Sequence, residues 1–411
     1  MKIVYITAGA ANMYCGSCMR DNALAGALRA AGHDVVLTPV YTPTLTDEVN
    51  YSLNRVFFGG ISVYLQQKSA LFRHTPRFLD KLWDSEAALR MASQRSVGVD
   101  PRFLGEMTVS MLEGERGPIR KEFAKLTEWL KTESRPDVIS LPFTLLIALA
   151  EPMKRVTGSP VVCTLQGEDL FLDGLEEPWR SRSLELIRQQ IRHVDAFVAT
   201  SEYYAGYMTG YLGIPAEKVR VVPLGINFTG LGPAEKRPAG FRVGFFARIA
   251  PEKGLHHLIE AVELLEGVEL HAAGYNLPEH REYLAKWEKR MIYHGSPDRE
   301  GKAEFLRGMD VLSVPTDYVE PKGLFVLESW ACGTPVVQPA HGAFPEMIRK
   351  TGGGLLVPPR DPGALAAALA KLRDDAALRR ELGAKGEAGV REHYSMEAMT
   401  RAALDVYHGV A

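Results

Sequence analysis

Cysteine is scarce in this 411-residue chain, which contains only Cys15, Cys18, Cys163 and Cys332. Four cysteines at such uneven spacing do not form the disulfide framework of a small secreted protein. Cys15 and Cys18 make a Cys-x-x-Cys pair, but the chain has no second pair of this kind, which argues against a structural zinc site. We favour an interpretation of both as small residues beside a ligand, and a redox role for them stays open.

The sequence also lacks long apolar runs and an excess of either charge. No uninterrupted apolar stretch reaches membrane-spanning length, and the first residues, MKIVYITAGA, enter a strand without a charged leader. We therefore expect a cytoplasmic protein. Forty-eight Lys and Arg against fifty Asp and Glu give a formal net charge of -2, so nucleic acid is not an expected partner.

Two phosphate-binding motifs are missing as well. The chain contains neither G-x-G-x-x-G nor G-x-x-x-x-G-K-[ST], so neither dinucleotide binding nor a P-loop is indicated. Any recognition of phosphate must therefore come from local groups.

The residues that are present predict an α/β protein. With 46% apolar and 24% charged residues the composition is that of a globular protein, and the length predicts two or three domains. Apolar runs of strand length alternate with helical periodicity over residues 1–40 and again from residue 136, which indicates parallel sheets with ligand groups at the carboxyl ends of their strands. Residues 41–135 break this rhythm, and residues 228–240 have the glycine and proline content of a linker.

The segment from Asp310 to Glu346 reads as a strand, a loop and the start of a helix. We expect Glu320 in the loop and Glu328 two turns into the helix, near enough to contact opposite ends of one small ligand. Backbone N–H groups at such a helix start, near Gly323, attract phosphate.

A second candidate anion site follows the strand that begins at Phe241. Arg248 and Lys253 stand five positions apart around a turn that contains proline and glycine, in the order R-x-x-P-x-K-G. Two cations placed in this way can converge on one anion at the start of the next helix.

These motifs together resemble a known family. E-x7-E followed by A-C-G-T-P-V-V, the R-x-x-P-x-K-G turn, and Pro223-Leu224-Gly225-Ile226-Asn227 are similar to signatures of retaining, nucleotide-sugar-dependent glycosyltransferases of the family 4 type, also called glycosyl transferases group 1. The resemblance implies the GT-B fold, in which two Rossmann-like parallel-sheet domains face a deep interdomain cleft. It implies an acceptor domain at residues 1–228 with an irregular insertion at about 41–135, a donor domain at 241–394, and a C-terminal helix at 395–411 that packs back on the first domain.

The resemblance also implies roles for individual residues. Arg248 and Lys253 would bind the donor diphosphate, Glu328 the ribose and Glu320 the transferred sugar, so that Glu320, Arg248 and Lys253 carry catalysis. The implied donor-binding set is Gly16, Ser17, Gln166, Asp169, Arg248, Lys253, His294, Glu320, Gly323, Leu324, Phe325 and Glu328. His294 enters this set because Tyr293-His294-Gly295 resembles the position where relatives hold the nucleotide base. Because no D-x-D triplet occurs, we expect no metal and no cofactor beyond the nucleotide sugar.

The chain departs from the family pattern at two places. The loop after the first strand reads CGSCMRDN, where only Gly16 and Ser17 match the family loosely. In Thr164-Leu165-Gln166-Gly167-Glu168-Asp169, Gln166 stands where many relatives have histidine. Because an amide takes up no proton at neutral pH, Gln166 is excluded as a general base.

Several alternatives stay open at this stage. The sequence does not identify the base and sugar of the donor, the acceptor (saccharide, lipid-linked or small molecule) or the oligomeric state. The basic and aromatic segment 68–83 is either a solvated amphipathic helix, an acceptor contact or a peripheral contact with the inner face of the membrane. A faint likeness of Gly59 to Tyr64 to glycogen and starch synthases keeps a glucan synthase open. A nucleotide-sugar epimerase is disfavoured by Gln166, and a non-catalytic sugar-nucleotide-binding protein by the presence of both Arg248 and Lys253.

Overall fold

A computed structural model of the chain describes residues 1–9, 16–44, 46, 49–53, 56–58, 63, 66–67, 101–133, 135–234 and 239–411. Segment 68–83 and Cys15 lie outside these ranges, so the predictions that concern them are not tested. The chain forms two compact units: unit 1 contains residues 1–200, 205–222 and 400–411, and unit 2 contains residues 201–204 and 223–399.

Unit 1 is built on a six-stranded sheet in which every neighbouring pair is parallel, in the order β2-β1-β3-β4-β5-β6. Its strands are β1 (Lys2–Thr7), β2 (Asp34–Pro39), β3 (Val138–Leu141), β4 (Val161–Leu165), β5 (Ala196–Ala199) and β6 (Val219–Val221). Residues 3–7 of β1 are all buried, because a central strand of a parallel sheet is covered on both faces and therefore reads as a continuous apolar run.

Helices connect these strands. The described ones are α1 (Gly16–Ala30), α2 (Pro101–Glu113), α3 (Arg120–Thr132), α4 (Ala150–Thr157), α5 (Glu168–Asp173), α6 (Trp179–Gln190) and α7 (Glu202–Leu212). Leu24 and Leu28 of α1 are completely buried and pack this helix into the core. Helix α1 begins at Gly16, so Gly16 and the residues after it in CGSCMRDN belong to the helix and not to the loop after β1.

Unit 2 contains a second six-stranded parallel sheet, in the order β12-β11-β10-β7-β8-β9. Its strands are β7 (Phe241–Phe246), β8 (Val268–Ala273), β9 (Ile292–Tyr293), β10 (Val311–Leu312), β11 (Val336–Pro339) and β12 (Gly354–Val357). Strand β10 covers only two residues of the segment that begins at Asp310, because the N–H of Val314 donates to the side chain of Gln338 at 3.3 Å instead of to a backbone carbonyl of a neighbouring strand.

The helices of this second half of the chain are α8 (Leu255–Val262), α9 (Arg281–Trp287), α10 (Arg299–Arg307), α11 (Leu324–Ala331), α12 (Phe344–Thr351), α13 (Pro362–Asp374), α14 (Ala376–His393) and α15 (Met396–Val410), which continues into unit 1. Trp330 of α11 is fully buried, and its indole N–H donates to the carbonyl of Gly353 at 2.7 Å. Its ring lies so close to Gly386 of α14 that a side chain at Gly386 would collide with it. Helix α11 is thereby fixed against its neighbours, which positions the residues at its N-terminus. Among the described residues, no helix is both long enough and apolar enough to cross a membrane.

Candidate active site

The loop that follows β7, residues 247–254, ends at Gly254 in the left-handed conformation, with φ of +72°. A Cβ atom at Gly254 would overlap the carbonyl oxygen of Pro315, in the loop that follows β10. We call these segments the β7 loop (residues 247–254) and the β10 loop (residues 313–323). Glycine is required at position 254 both for the backbone conformation and for this close approach.

Glu252 joins the two loops through its backbone. Its carbonyl oxygen accepts hydrogen bonds from the N–H of Asp317 at 2.9 Å, from the N–H of Tyr318 at 3.2 Å and from the hydroxyl of Thr316 at 2.8 Å. Because β7 and β10 are adjacent parallel strands, both loops leave the same edge of the sheet. The β7 loop and the β10 loop therefore form one framework at the carboxyl edge of the unit 2 sheet.

Lys253 and Glu320 meet on this framework. The Lys253 ammonium lies 2.7 Å from Glu320 Oε2, and the two side chains are only 16% and 9% exposed. Burial alone would raise the pKa of Glu320, but the charge and hydrogen bond of Lys253 outweigh it and hold that pKa below its ordinary value of 4.5. Glu320 is therefore ionised at neutral pH and is paired with a cation that comes from the other loop.

This ion pair predicts a pH dependence of stability. Because the folded-state pKa of Glu320 is lowered, its contribution is complete well above 4.5 and is lost as the pH falls through the folded-state pKa. We expect urea unfolding to show wild type losing stability relative to Glu320→Gln between neutral and acidic pH. The exposed Glu304 of α10 supplies the control, Glu304→Gln, which should track wild type at every pH. A difference between wild type and Glu320→Gln that does not change with pH would contradict the assignment.

Arg248, the other predicted cation, is held more loosely. Its guanidinium lies 2.5 Å from Glu252 Oε1, and both side chains are well exposed, at 47% and 38%. Exposed ion pairs contribute little to stability, so an anionic ligand can compete for this arginine at small cost.

The start of α11 adds backbone donors to the same sheet edge. Gly323, at φ of +62°, precedes the first helical residue, and the first N–H groups of a helix have no acceptors within it. The Phe325 side chain is buried and packs against the ring of Phe344 at a centroid distance of 5.9 Å. Phe325 and Leu324 can therefore serve a ligand through their backbone N–H groups.

Glu328 is the fifth residue of α11 and therefore lies just over one turn into the helix. The expected position two turns into the helix was wrong. It is 8% exposed, and its Oε1 accepts a hydrogen bond from the Lys302 ammonium at 2.6 Å. Lys302 comes from α10 and supplies the cationic partner of this buried carboxylate.

His294 follows β9 directly. Its Nε2 lies 2.9 Å from Nδ1 of His271, whose own Nε2 lies 3.3 Å from Glu269. Burial, together with the neighbouring His271 and Arg242, lowers the pKa of His294. The imidazole is therefore neutral at physiological pH and is arranged as a link in a structural hydrogen-bond chain.

In unit 1, Gln166 lies at the carboxyl end of β4 with only 7% of its surface exposed. Its side-chain Nε2 donates to the carbonyl of Pro142 at 2.8 Å, and its backbone N–H donates to Glu168 at 2.6 Å. Its side-chain Oε1 is buried and has no hydrogen-bond partner in the described part of the chain. The amide is thus fixed in one orientation with its acceptor atom unused, which is an arrangement suited to a hydroxyl donor.

Two family models match the chain. Residues 240–375 match the model described as glycosyl transferases group 1, and residues 20–225, half of the chain, match the model described as glycosyl transferase 4-like domain. The chain belongs to the glycosyl transferase 4-like family. This confirms the family predicted from the motifs at Arg248, Lys253, Glu320 and Glu328.

Several curated relatives of the glycosyltransferase have names that refer to inositol compounds. A phosphatidyl-myo-inositol mannosyltransferase of Mycobacterium leprae is 27% identical over 304 residues, which are 70% of this chain and 77% of that protein. A D-inositol 3-phosphate glycosyltransferase of Streptomyces bingchenggensis is 30% identical over 246 residues, which are 53% of this chain and 54% of the relative. The chain thus spans about half the length of the D-inositol 3-phosphate relatives that it matches.

Solved structures agree on the fold. Sucrose-phosphate synthase from Thermosynechococcus elongatus superposes with a TM-score of 0.72 at 20% identity, covering 99% of this chain and 98% of that one. HepE of Anabaena, solved in complex with UDP, superposes with a TM-score of 0.68 at 16% identity, and each chain is covered completely. The glycosyltransferase therefore has the predicted α/β GT-B fold, with two parallel six-stranded sheets.

The structure places the other predicted site residues of the glycosyltransferase within unit 1. Gly16 and Ser17 occupy the first turn of α1, exposed and half-buried respectively, and Asp169 is the buried second residue of α5. Sequence reasoning missed Glu168, which lies beside Asp169. Its carboxylate accepts hydrogen bonds from the N–H and the hydroxyl of Thr144, at 3.2 and 2.9 Å, and from the N–H of Gln166.

Glu168 therefore fixes the turn that presents Gln166. Burial raises the pKa of the Glu168 carboxyl although these hydrogen bonds oppose the shift. The only sequence signal for this role is the position of an acidic residue directly after Gly167. Gly167, with φ of +98°, is the residue that precedes α5.

Proposed function

We propose that the chain transfers a sugar from a nucleoside diphosphate sugar to an acceptor hydroxyl, with retention of the anomeric configuration and without a divalent metal at the diphosphate. The observation that carries this proposal is the buried ion pair of Lys253 and Glu320 beside the N-terminus of α11. It combines a cation for a departing phosphate with a carboxylate for the sugar.

The diphosphate is the leaving group, and its developing negative charge needs partners. Lys253 carries three N–H donors and uses one on Glu320, while its ammonium also lies 5.5 Å from the centre of the Tyr318 ring. Arg248 is exposed on the same loop. The first N–H groups of α11, which have no acceptors within the helix, follow directly after the β10 loop. Two cations and a helix N-terminus can stabilise the departing diphosphate in place of a metal ion.

Glu320 and Glu328 act on the remaining parts of the donor. The ionised Glu320 carboxylate accepts hydrogen bonds from the sugar and stabilises positive character that develops at its ring. Glu328, oriented by Lys302, accepts the ribose hydroxyls. Because Lys302 neutralises Glu328, a second buried carboxylate is tolerated in a site that also receives a diphosphate.

The transfer step needs no enzymic base. The acceptor oxygen forms a bond to the anomeric carbon on the face from which the phosphate oxygen departs, and the acceptor proton passes to that phosphate oxygen. Gln166, whose Oε1 is free to accept a hydroxyl hydrogen bond, orients the sugar. This assigns positioning to the amide and proton transfer to the leaving group.

For the acceptor we propose a saccharide, a lipid-linked molecule or a small molecule, with inositol compounds as the first choice. The support is the naming of the curated relatives, which act on phosphatidyl-myo-inositol and on D-inositol 3-phosphate. The base and sugar of the donor are to be found by experiment.

The test is an incubation of the full chain with UDP-, GDP- and ADP-activated sugars, with and without inositol compounds and simple saccharides. We expect nucleoside diphosphate release that depends on one donor and on an acceptor, together with an α- or β-linked product of the same configuration as the donor. Release without a glycosylated product would support hydrolysis or epimerisation. Donor binding with no release would identify a non-catalytic binding protein, and inversion of the anomeric centre would contradict the retaining mechanism.

Turnover is expected to survive chelation. Because Arg248, Lys253 and the α11 N-terminus supply the positive charge at the diphosphate, EDTA should change the rate by less than about twofold. The measurement compares initial rates in EDTA with rates after Mg²⁺ or Mn²⁺ is added back. Loss of turnover in EDTA that is restored by either ion would show that the diphosphate needs a metal.

A further inference from the structure

Three potential metal ligands converge where α8 meets the β10 loop. They are His256 and His257, in the first turn of α8, and Asp317; one ligand atom from each lies within 4.8 Å of the others. The two imidazole rings are 4.0 Å apart between centroids, and His257 Nε2 lies 3.1 Å from Asp317 Oδ1. In the part of the chain that the structure describes, no other group of three such residues comes together in this way.

We propose that His256, His257 and Asp317 bind a divalent transition-metal ion of the Zn²⁺ class. Two imidazole nitrogens and one carboxylate oxygen form a ligand set that suits Zn²⁺, whereas Mg²⁺ prefers oxygen ligands alone; water completes a four-coordinate site. With metal–ligand bonds of about 2.0–2.1 Å, tetrahedral ligand atoms lie roughly 3.3 Å apart. Small side-chain rotations therefore suffice to close the present spacing around an ion.

The surroundings of the two rings differ. Nδ1 of His256 lies 2.9 Å from the hydroxyl of Tyr283, which fixes the ring and leaves Nε2 for an ion. Nδ1 of His257 is buried and has no hydrogen-bond partner among the described residues. A buried ring nitrogen left unpaired costs free energy unless a ligand binds at that nitrogen.

Asp317 is also oriented by a neighbour. Arg360 donates through Nε to Asp317 Oδ1 at 2.7 Å, while Asp317 Oδ2 lies 4.0 Å from His256 Nε2. The carboxylate can therefore keep Arg360 on one oxygen and offer the other to the ion, an arrangement that is common around metal-bound carboxylates. The guanidinium charge opposes the metal and favours an ion that forms strong bonds to imidazole.

This site is separate from the proposed diphosphate site, but the same framework carries both. Asp317 lies three residues before Glu320, and its N–H donates to Glu252, the residue before Lys253. An ion bound to His256, His257 and Asp317 would join α8 to the β10 loop. Its effect is structural, so EDTA should lower the thermal stability of metal-loaded protein without removing the cations that meet the donor.

The experiment titrates tag-free, chelator-treated protein with Zn²⁺ by calorimetry and with Co²⁺ by visible absorption. Wild type should bind one ion per chain with the spectrum of a four-coordinate nitrogen and oxygen site, and its Tm should rise when Zn²⁺ is added. His256→Gln/His257→Gln should weaken binding by more than about a hundredfold and lose the rise in Tm, and Tyr283→Phe should weaken binding by about tenfold. His280→Gln removes a histidine of unit 2 outside the cluster and should behave as wild type.

Three results would overturn the proposal. The first is that wild type binds no stoichiometric Zn²⁺. The second is that wild type and the double variant bind the ion with equal affinity, and the third is that the double variant and His280→Gln lose equal amounts of affinity. Should the double variant not fold, Tyr283→Phe and the single variant His256→Gln give the same comparison. Unchanged affinity in both of these would likewise overturn the site.

Discussion

Replacing Lys253 with alanine is expected to weaken binding of the donor's nucleoside diphosphate by about 2 kcal/mol or more, which is roughly thirtyfold. The Lys253 side chain is only 16% exposed, so its hydrogen bonds to phosphate form in a partly dry site where water replaces them poorly. The same change leaves Glu320 as a buried carboxylate without its cation. We therefore expect turnover to fall further than affinity, because an unpaired carboxylate repels the departing diphosphate.

Calorimetry with the nucleoside diphosphate and initial-rate measurements test this prediction. Lys289→Ala is the matched control, since it removes an exposed lysine from the same unit and the same net charge from the protein. Lys253→Ala/Glu320→Gln separates the two contributions, because it removes the cation without leaving a buried charge behind. Unchanged nucleoside diphosphate affinity in Lys253→Ala would remove this lysine from the diphosphate site.

Gln166→Ala is expected to lower kcat by roughly tenfold to a hundredfold while leaving the affinity for nucleoside diphosphate almost unchanged. The amide is anchored through Nε2 to Pro142 and presents a free Oε1, so alanine removes a positioning hydrogen bond to the sugar and no contact to phosphate. Gln166→Glu should be more damaging than alanine, because a carboxylate loses the donor to Pro142 and places a negative charge against that carbonyl oxygen.

Steady-state kinetics and calorimetry distinguish these effects. Gln189→Ala changes an exposed glutamine of the same unit and should leave both quantities unchanged. The pH profiles of kcat for wild type and Gln166→Ala should have the same shape, because Gln166 contributes no ionising group. Full activity of Gln166→Ala, or equal losses of turnover and diphosphate affinity, would mean that Gln166 does not contact the transferred sugar.

The strands and helices that carry the site were predictable because their signals are local. The apolar run after Phe241 and the turn that ends at Gly254 define β7, its loop and α8 within a single stretch of sequence. The spacing of Glu320 and Glu328 likewise placed one carboxylate before α11 and the other within it. In such segments hydrophobic periodicity and turn residues determine the structure, and both can be read without knowledge of distant contacts.

Partners from distant parts of the chain could not be predicted in this way. Lys302 reaches Glu328 from another helix, and Thr144 reaches Glu168 across 24 positions of sequence. Nothing in the local pattern distinguishes these residues from ordinary surface or turn residues. The start of α1 at Gly16 was also missed, because CGSCMRDN contains small and polar residues that are typical of loops as well as of helix starts.

The three hydrogen bonds that converge on the Glu252 carbonyl also bear on how this enzyme can be re-engineered. Because the β7 loop and the β10 loop share that oxygen, and because Gly254 leaves no room between them, an insertion or deletion in either loop displaces the other. A library that varies loop length here would mostly yield misfolded chains. Changes of donor preference should therefore be sought by substituting exposed side chains at fixed length, with Gly254 left unaltered.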